Sequence, residues 1–216
     1  MTQVKICCIS SIQEAKMAIG AGAKTLGLVG PMPSGPGIIT NEQIAAIAKS
    51  VPSDIDTWLL TSETSAEKII AHHKLVRTTS IQIVDKLKIG NYQQIKEALP
   101  GIKLIQVLHV LDESTIQEAM SITDYVDYIL LDSGKPSADI KTLGGTGNVH
   151  NWKISRQIVN SVNVPVFLAG GLNSNNVESA IHTVLPFGVD LCSGVRTNKM
   201  LDDNKLKSFF QIIISV

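Results

Sequence analysis

Eight short runs rich in apolar and β-branched residues recur along this chain, with amphipathic stretches at helical spacing between them. The runs are VKICCI (4–9), TLGLV (25–29), DTWLL (56–60), SIQIV (80–84), KLIQVLH (103–109), DYILLD (127–132), VPVFLA (164–169) and VDLC (189–192). After the first, SIQEAKMAIGAGA (11–23) sets Ile12, Ala15, Ile19 and Ala23 on one helical face. Three helical stretches open on a capping signature: Thr40 with Gln43, Thr64 with Glu67, and Asn175 with Glu178. Shared among eight units, 216 residues give about 27 each, enough for a strand, a helix and two short loops. Such alternation predicts a parallel sheet with right-handed crossovers. Eight units predict an α/β single-domain (β/α)8 TIM barrel over residues 1–216. An open doubly wound sheet usually carries GxGxxG after its first strand, whereas here that strand runs into SSIQEA (10–15).

Composition bounds the partners. Basic and acidic residues number 19 each, so no basic field exists to hold a phosphodiester backbone, and nucleic acid is not expected as a partner. Aromatic residues are 4% of the chain, which leaves few platforms for stacking bases. Three cysteines without disulfide-like spacing fit a reducing, cytoplasmic compartment. The N-terminus turns polar too early for a signal peptide, and no apolar run approaches the roughly 18 residues of a membrane span. No membrane association is expected. The five histidines (72, 73, 109, 150 and 182) lack metal-ligand spacing, and His72-His73 is expected on a solvated helix face.

In a barrel of this kind function collects where strands end. Strand alternation puts Lys5 and Cys7 on one face of the first run, and Ile6 and Cys8 on the other. Val4, Ile6 and Cys8 suit packing against helices, which aims Cys7 into the barrel mouth. By the same alternation Asp132 ends the inward face of the sixth run, and Asp190 shares the inward face of the eighth with Cys192. The mouth is then predicted to hold a thiol and two carboxylates. Lys5 is expected to neutralise a carboxylate, because an unpaired buried charge is costly. A cation there would also lower the pKa of Cys7, although both thiols equally suit inert packing. Glycine-rich segments end the last three strands: TLGGTG (142–147), LAGGLN (168–173) and CSG (192–194). Three such loops side by side predict a phosphate cradle at Gly145, Gly170, Gly171, Ser193 and Gly194.

Taken together, KICC (5–8), LLDS (130–133), GGTG (144–147) with Trp152, LAGGL (168–172) with Asn176-Val177, and VDLCSGV (189–195) resemble the phosphoribosylanthranilate isomerases of tryptophan biosynthesis. The resemblance runs from residue 4 to the last helix. It implies an Amadori rearrangement of N-(5-phosphoribosyl)anthranilate by an aldose–ketose isomerase, an intramolecular oxidoreductase needing no cofactor and no metal. It also implies roles: Cys7 as general base at the sugar C2, Asp132 as general acid at the ring oxygen, and Asp190 at the substrate with Lys5 beside it. Cys8 takes the place of the family glycine. A phosphorylated small molecule is the expected partner, for a monomer or a homodimer.

The chain also departs from the pattern. Where the family reads SPR, with an arginine for the anthranilate carboxylate, SGPGIIT (34–40) places Gly37. Gln82 to Asp85 lacks the histidine of the family QLHG, Arg196 replaces a glutamate, and His109 has no family role. Two readings stay open. One is an isomerase whose carboxylate partner is Arg196 or Lys135. The other is a paralogue acting on, or only binding, a different phosphorylated molecule. An arginine restored at Gly37 is expected to lower KM if the backbone there accepts a side chain.

Overall fold

The computed structural model describes residues 2–134 and 151–216. Strand β1 (Gln3–Ile6) pairs in parallel with both β2 (Thr25–Val29) and β8 (Gly188–Leu191). Between those two, β3 (Asp56–Thr61), β4 (Ser80–Ile83), β5 (Lys103–His109), β6 (Tyr128–Asp132) and β7 (Val166–Leu168) follow in chain order, closing an eight-stranded barrel. Around it lie α1 (Ile12–Ala21), α2 (Asn41–Ser50), α3 (Ala66–Val76), α4 (Tyr92–Ala98), α5 (Ser114–Ile122), α6 (Trp152–Ser161), α7 (Val177–Val184) and α8 (Asp203–Ser215). A small antiparallel pair, β9 (Arg196–Thr197) and β10 (Met200–Leu201), precedes α8. Among the described residues no helix is long and apolar enough to cross a membrane. The expected glycine loop TLGGTG, with Gly145, and also Lys135 and His150, lie outside the described residues.

A parallel strand covered on both faces must be apolar on both. Outward residues such as Ile6, Leu26, Leu28 and Leu59 join the core beneath the helices. Inward residues Trp58, Ile105, Val107, Leu130 and Phe167 fill the barrel centre, where the Trp58 and Phe167 rings meet edge-on at 5.0 Å. Each such side chain contributes about 1.5–3 kcal/mol by burial. Gly188 is required opposite them, because a Cβ there would overlap the Phe167 ring.

Several local expectations shift. Helix α1 buries Glu14, Ala15 and Ala18, and Ile12 is exposed. The face has rotated because Glu14 is drawn inward to Arg196. Thr40 and Gln43 form a complete capping box. Helix α3 instead begins after Ser65, since the Thr64 carbonyl is taken by the Lys88 and Ile89 N–H groups. The N-cap of α7 is Asn176, whose side chain accepts from Asn173 N and donates to Gly171 O, fastening the loop after β7. His72 and His73 are half-buried, not solvated. His72 bridges Thr61 Oγ1 (3.1 Å) and Asn41 Oδ1 (3.0 Å), and His73 meets Thr78 O at 2.7 Å.

Candidate active site

Cys7, Asp132, Gly170, Gly171, Asp190 and Ser193 line one cavity at the C-terminal ends of the strands. Their convergence follows from register. Lys5 and Asp190 stand side by side across the β1–β8 pairing, and Lys5 Nζ meets Asp190 Oδ2 at 2.8 Å. Burial pushes the Lys5 ammonium down, but the fields of Asp190 and Cys7 outweigh it and hold the group above its ordinary value. Trp58 adds its ring face 5.5 Å from the same nitrogen. The anticipated carboxylate partner is therefore Asp190. Burial pushes the Asp190 carboxyl up, against the pull of Lys5, and its second oxygen, Oδ1, is buried with no partner. An oxygen so placed at a cavity wall is suited to receive a ligand hydroxyl.

Cys7 lies just past β1, tethered by its N–H to Leu191 O at 2.7 Å. Gly27 of β2 makes room for it: a Cβ there would stand 2.9 Å from Cys7 Sγ and 3.0 Å from Lys5 Nζ. Thiol and ammonium thus share the space over one glycine. The neighbouring Cys8 side chain, helped by the Lys5 charge and opposed by burial, holds the Cys7 thiol below its usual value. Asp132 ends β6 and accepts from Ser133 N at 2.8 Å. Burial pushes its carboxyl up, with His109 pulling the other way. A thiol pushed down and a carboxyl pushed up, in one cavity, have the chemistry that a general base and a general acid require.

The anion side is built from backbone. Gly170 (φ +86°) and Gly171 (φ +66°) turn in the left-handed region, and a Cβ on Gly170 would stand 2.7 Å from Ser133 Oγ. Their N–H groups donate to no acceptor among the described residues. Gly194 does not line this cavity. It is pressed on the Leu172 carbonyl, which packs the loops after β7 and β8 together.

A family model described as N-(5'-phosphoribosyl)anthranilate (PRA) isomerase matches residues 4–212. The chain belongs to that family. It is 36% identical to the N-(5'-phosphoribosyl)anthranilate isomerase of Nostoc punctiforme, over 97% of each chain. The enzyme of that name from Methanocella arvoryzae is 32% identical, over 95% of this chain and 94% of the other. The solved phosphoribosyl anthranilate isomerase from Thermotoga maritima superposes with a TM-score of 0.83 and 26% identity, covering all of both chains.

Set beside the phosphoribosylanthranilate isomerase motifs, the departures prove to be spatial neighbours. Cys8 does not pack against helices as alternation predicted. The chain has left β1 at Ile6, and Cys8 takes a left-handed conformation (φ +62°) that turns its thiol to the mouth. Glycine adopts this conformation freely, while cysteine is strained there by about 1–2 kcal/mol. Its Sγ lies 2.8 Å from Cys192 Sγ and 3.5 Å from Pro36 O, to which its S–H donates. Gly37 faces it with φ +72°, and a Cβ on Gly37 would overlap Cys8 Cβ and stand 2.9 Å from Cys8 Cα. A side chain at position 37 meets Cys8 and a left-handed backbone, so the condition attached to Gly37→Arg, a backbone that accepts a side chain, is not met.

Arg196 is also committed. Its Nη1 meets Glu14 Oε1 at 2.8 Å, and Nη2 reaches Glu14 Oε2 (3.2 Å), Cys8 O (2.6 Å) and Cys7 O (3.2 Å). Burial lowers the guanidinium's pKa, but Glu14 outweighs it. The pair braces the Cys7–Cys8 turn, and both terminal nitrogens are spent there. Glu14 escaped the sequence analysis, which named Gln82 and Cys192 but gave them no role. The available signal for Glu14 was Ser11, whose Oγ accepts from Glu14 N at 3.1 Å. Gln82 is buried at the cavity wall with Oε1 unpartnered. His109 lies beside Asp132 in register, with both ring nitrogens buried and unpartnered.

Proposed function

We propose that the protein is a phosphoribosylanthranilate isomerase that converts the aminoaldose N-(5-phosphoribosyl)anthranilate into the aminoketose. In class terms it is an intramolecular oxidoreductase. Asp132, kept protonated by burial, gives its proton to the furanose oxygen, and the ring opens to an iminium at C1. The Cys7 thiolate, favoured by Cys8 and Lys5, removes the C2 proton. The enolamine that results takes a proton at C1 as its C2 hydroxyl gives one up, which leaves the ketone. Asp190 Oδ1 accepts a sugar hydroxyl, with Lys5 holding the other carboxylate oxygen. The phosphate takes the N–H groups of Gly170, Gly171 and Ser193. A cytoplasmic monomer or homodimer is the matching setting for a chain with three free thiols.

The observation that carries this reading is the opposed displacement of Cys7 and Asp132 within one cavity beside two left-handed glycines. A second reading draws on Gly37 and Cys8, which together occupy the space of a carboxylate-binding arginine. On it, the barrel takes a different phosphorylated small molecule. Rescue of a tryptophan auxotroph lacking the isomerase distinguishes them. Growth supports the first reading, and absence of growth with a folded, expressed protein supports the second.

A further inference from the structure

Two of the three thiols form a pair, and neither of them takes a proton from the substrate in the proposed chemistry. Cys8 follows β1 and Cys192 follows β8, the two strands whose pairing closes the barrel. Their sulfurs are 2.8 Å apart, and both line the cavity that holds Cys7 and Asp132. Beside the family motif VD-x-SSGVE, VDLCSGV (189–195) has Cys192 at the first serine, and Cys8 takes the place of a family glycine, so two thiols stand at touching positions. Cys8 is held there in a left-handed conformation that costs a cysteine stability, and Gly37 leaves its side chain room. Neither sulfur is locked in a disulfide. Cys192 is half-exposed on the rim, also lining a second cavity of about 590 Å³ that opens beside the first.

We propose that Cys8 and Cys192 are a reversible thiol–disulfide site whose oxidation by a low-molecular-weight disulfide closes the active site. Cys192, the accessible member, attacks the small disulfide, forms a mixed disulfide and releases one small thiol. Cys8 then attacks the Cys192 sulfur, forming the protein disulfide and releasing the second small thiol. Two protein thiols are oxidised, one small disulfide is reduced, and the two protein protons end on the two released thiols. Closing the sulfurs from 2.8 Å to the roughly 2.05 Å of a disulfide needs only a short movement. Once bridged, the ends of β1 and β8 are strapped together at the cavity wall that also carries Cys7.

The loss of turnover rests on the proposed isomerase reading, but the thiol chemistry does not, and the test reads them separately. The purified full chain is incubated with oxidised glutathione, then assayed by thiol count, peptide mapping and turnover of phosphoribosylanthranilate. Free thiols should fall from three to one, with Cys8 linked to Cys192. Turnover should fall about tenfold or more and return with dithiothreitol. Cys192→Ser, which restores the family residue, should form no internal disulfide, and its activity ratio before and after oxidant should stay near one. Cys8→Gly provides the same control from the other side. Linkage through Cys7, stable glutathione adducts on Cys192, or three thiols surviving would overturn the site. A Cys8–Cys192 bridge with undiminished turnover would overturn the closure. A protein inactive even when reduced, yet forming the bridge, would count against the isomerase reading and leave the thiol site standing.

Discussion

The two sides of the barrel mouth have diverged unequally. Around β6 to β8 the segments LLDS, LAGGL and VD keep the pattern of the phosphoribosylanthranilate isomerases, and Asp132, Gly170, Gly171 and Asp190 share a cavity wall. The pattern breaks at Cys8 after β1, at Gly37 in the loop after β2, and at Cys192 and Arg196 just past β8. The four meet at Cys8: Gly37 faces it, Cys192 touches its sulfur, and Arg196 donates to its carbonyl. Changes scattered in sequence are one rebuilt patch in space. The difference teaches that the lost arginine cannot be judged alone, because the room for its stem now belongs to a thiol.

The unchanged side is the place for the largest effect. Gly170→Ala should raise KM for the phosphorylated substrate about 10- to 100-fold, since it forces a side chain onto Ser133 at φ +86° and disturbs a charge-assisted contact. Steady-state kinetics with inorganic phosphate as competitor would check it. An unchanged KM would place the phosphate elsewhere. On the rebuilt side, Arg196→Met strands the Glu14 carboxylate, and both partners are more than nine-tenths buried. Denaturant unfolding should show a loss of about 3–5 kcal/mol. A loss below about 1 kcal/mol would mean the pair does not brace the Cys7–Cys8 turn.

Gly37→Arg should destabilise by about 2–4 kcal/mol, combining a left-handed residue with overlap on Cys8. Cys8→Gly alone should be neutral or gain about 1 kcal/mol, because glycine suits φ +62°. In the double variant part of the Gly37→Arg penalty should vanish. Strict additivity in the cycle would show that the two positions are independent, breaking the picture of one patch. The smallest effect concerns acidity. The rate of Cys7 alkylation, followed by peptide mass against pH, should shift its midpoint upward in Cys8→Ala, since the neighbouring Cys8 side chain is the main influence holding that thiol down. A midpoint that stays put would assign the lowering to Lys5 instead.

The barrel and one side of the mouth were legible because they follow from period. Alternation along β6 and β8 aims Asp132 and Asp190 inward, and register makes Lys5 the neighbour of Asp190. Legibility ended where period ended. Cys8 lies beyond β1 with a positive φ, which no alternation rule predicts, so its thiol faces the mouth and not the helices. Gly37 read as a missing arginine, because a sequence does not show that Cys8 fills the space. Glu14 and Arg196 are separated by most of the chain and meet only when β8 closes on β1. Their pairing belongs to the closed barrel, and no local signal announces it.

The central claim is that Cys7 is the base of an isomerase acting on phosphoribosylanthranilate. The most direct measurement is kcat/KM on that substrate for the reduced wild-type protein and for Cys7→Ser, with folding of both verified by circular dichroism. The wild-type protein should turn the substrate over, and Cys7→Ser should lose about 10²–10⁴-fold, since a serine hydroxyl forms far less anion than a thiol held low. No turnover by the reduced wild-type protein, or equal turnover by Cys7→Ser, would contradict it.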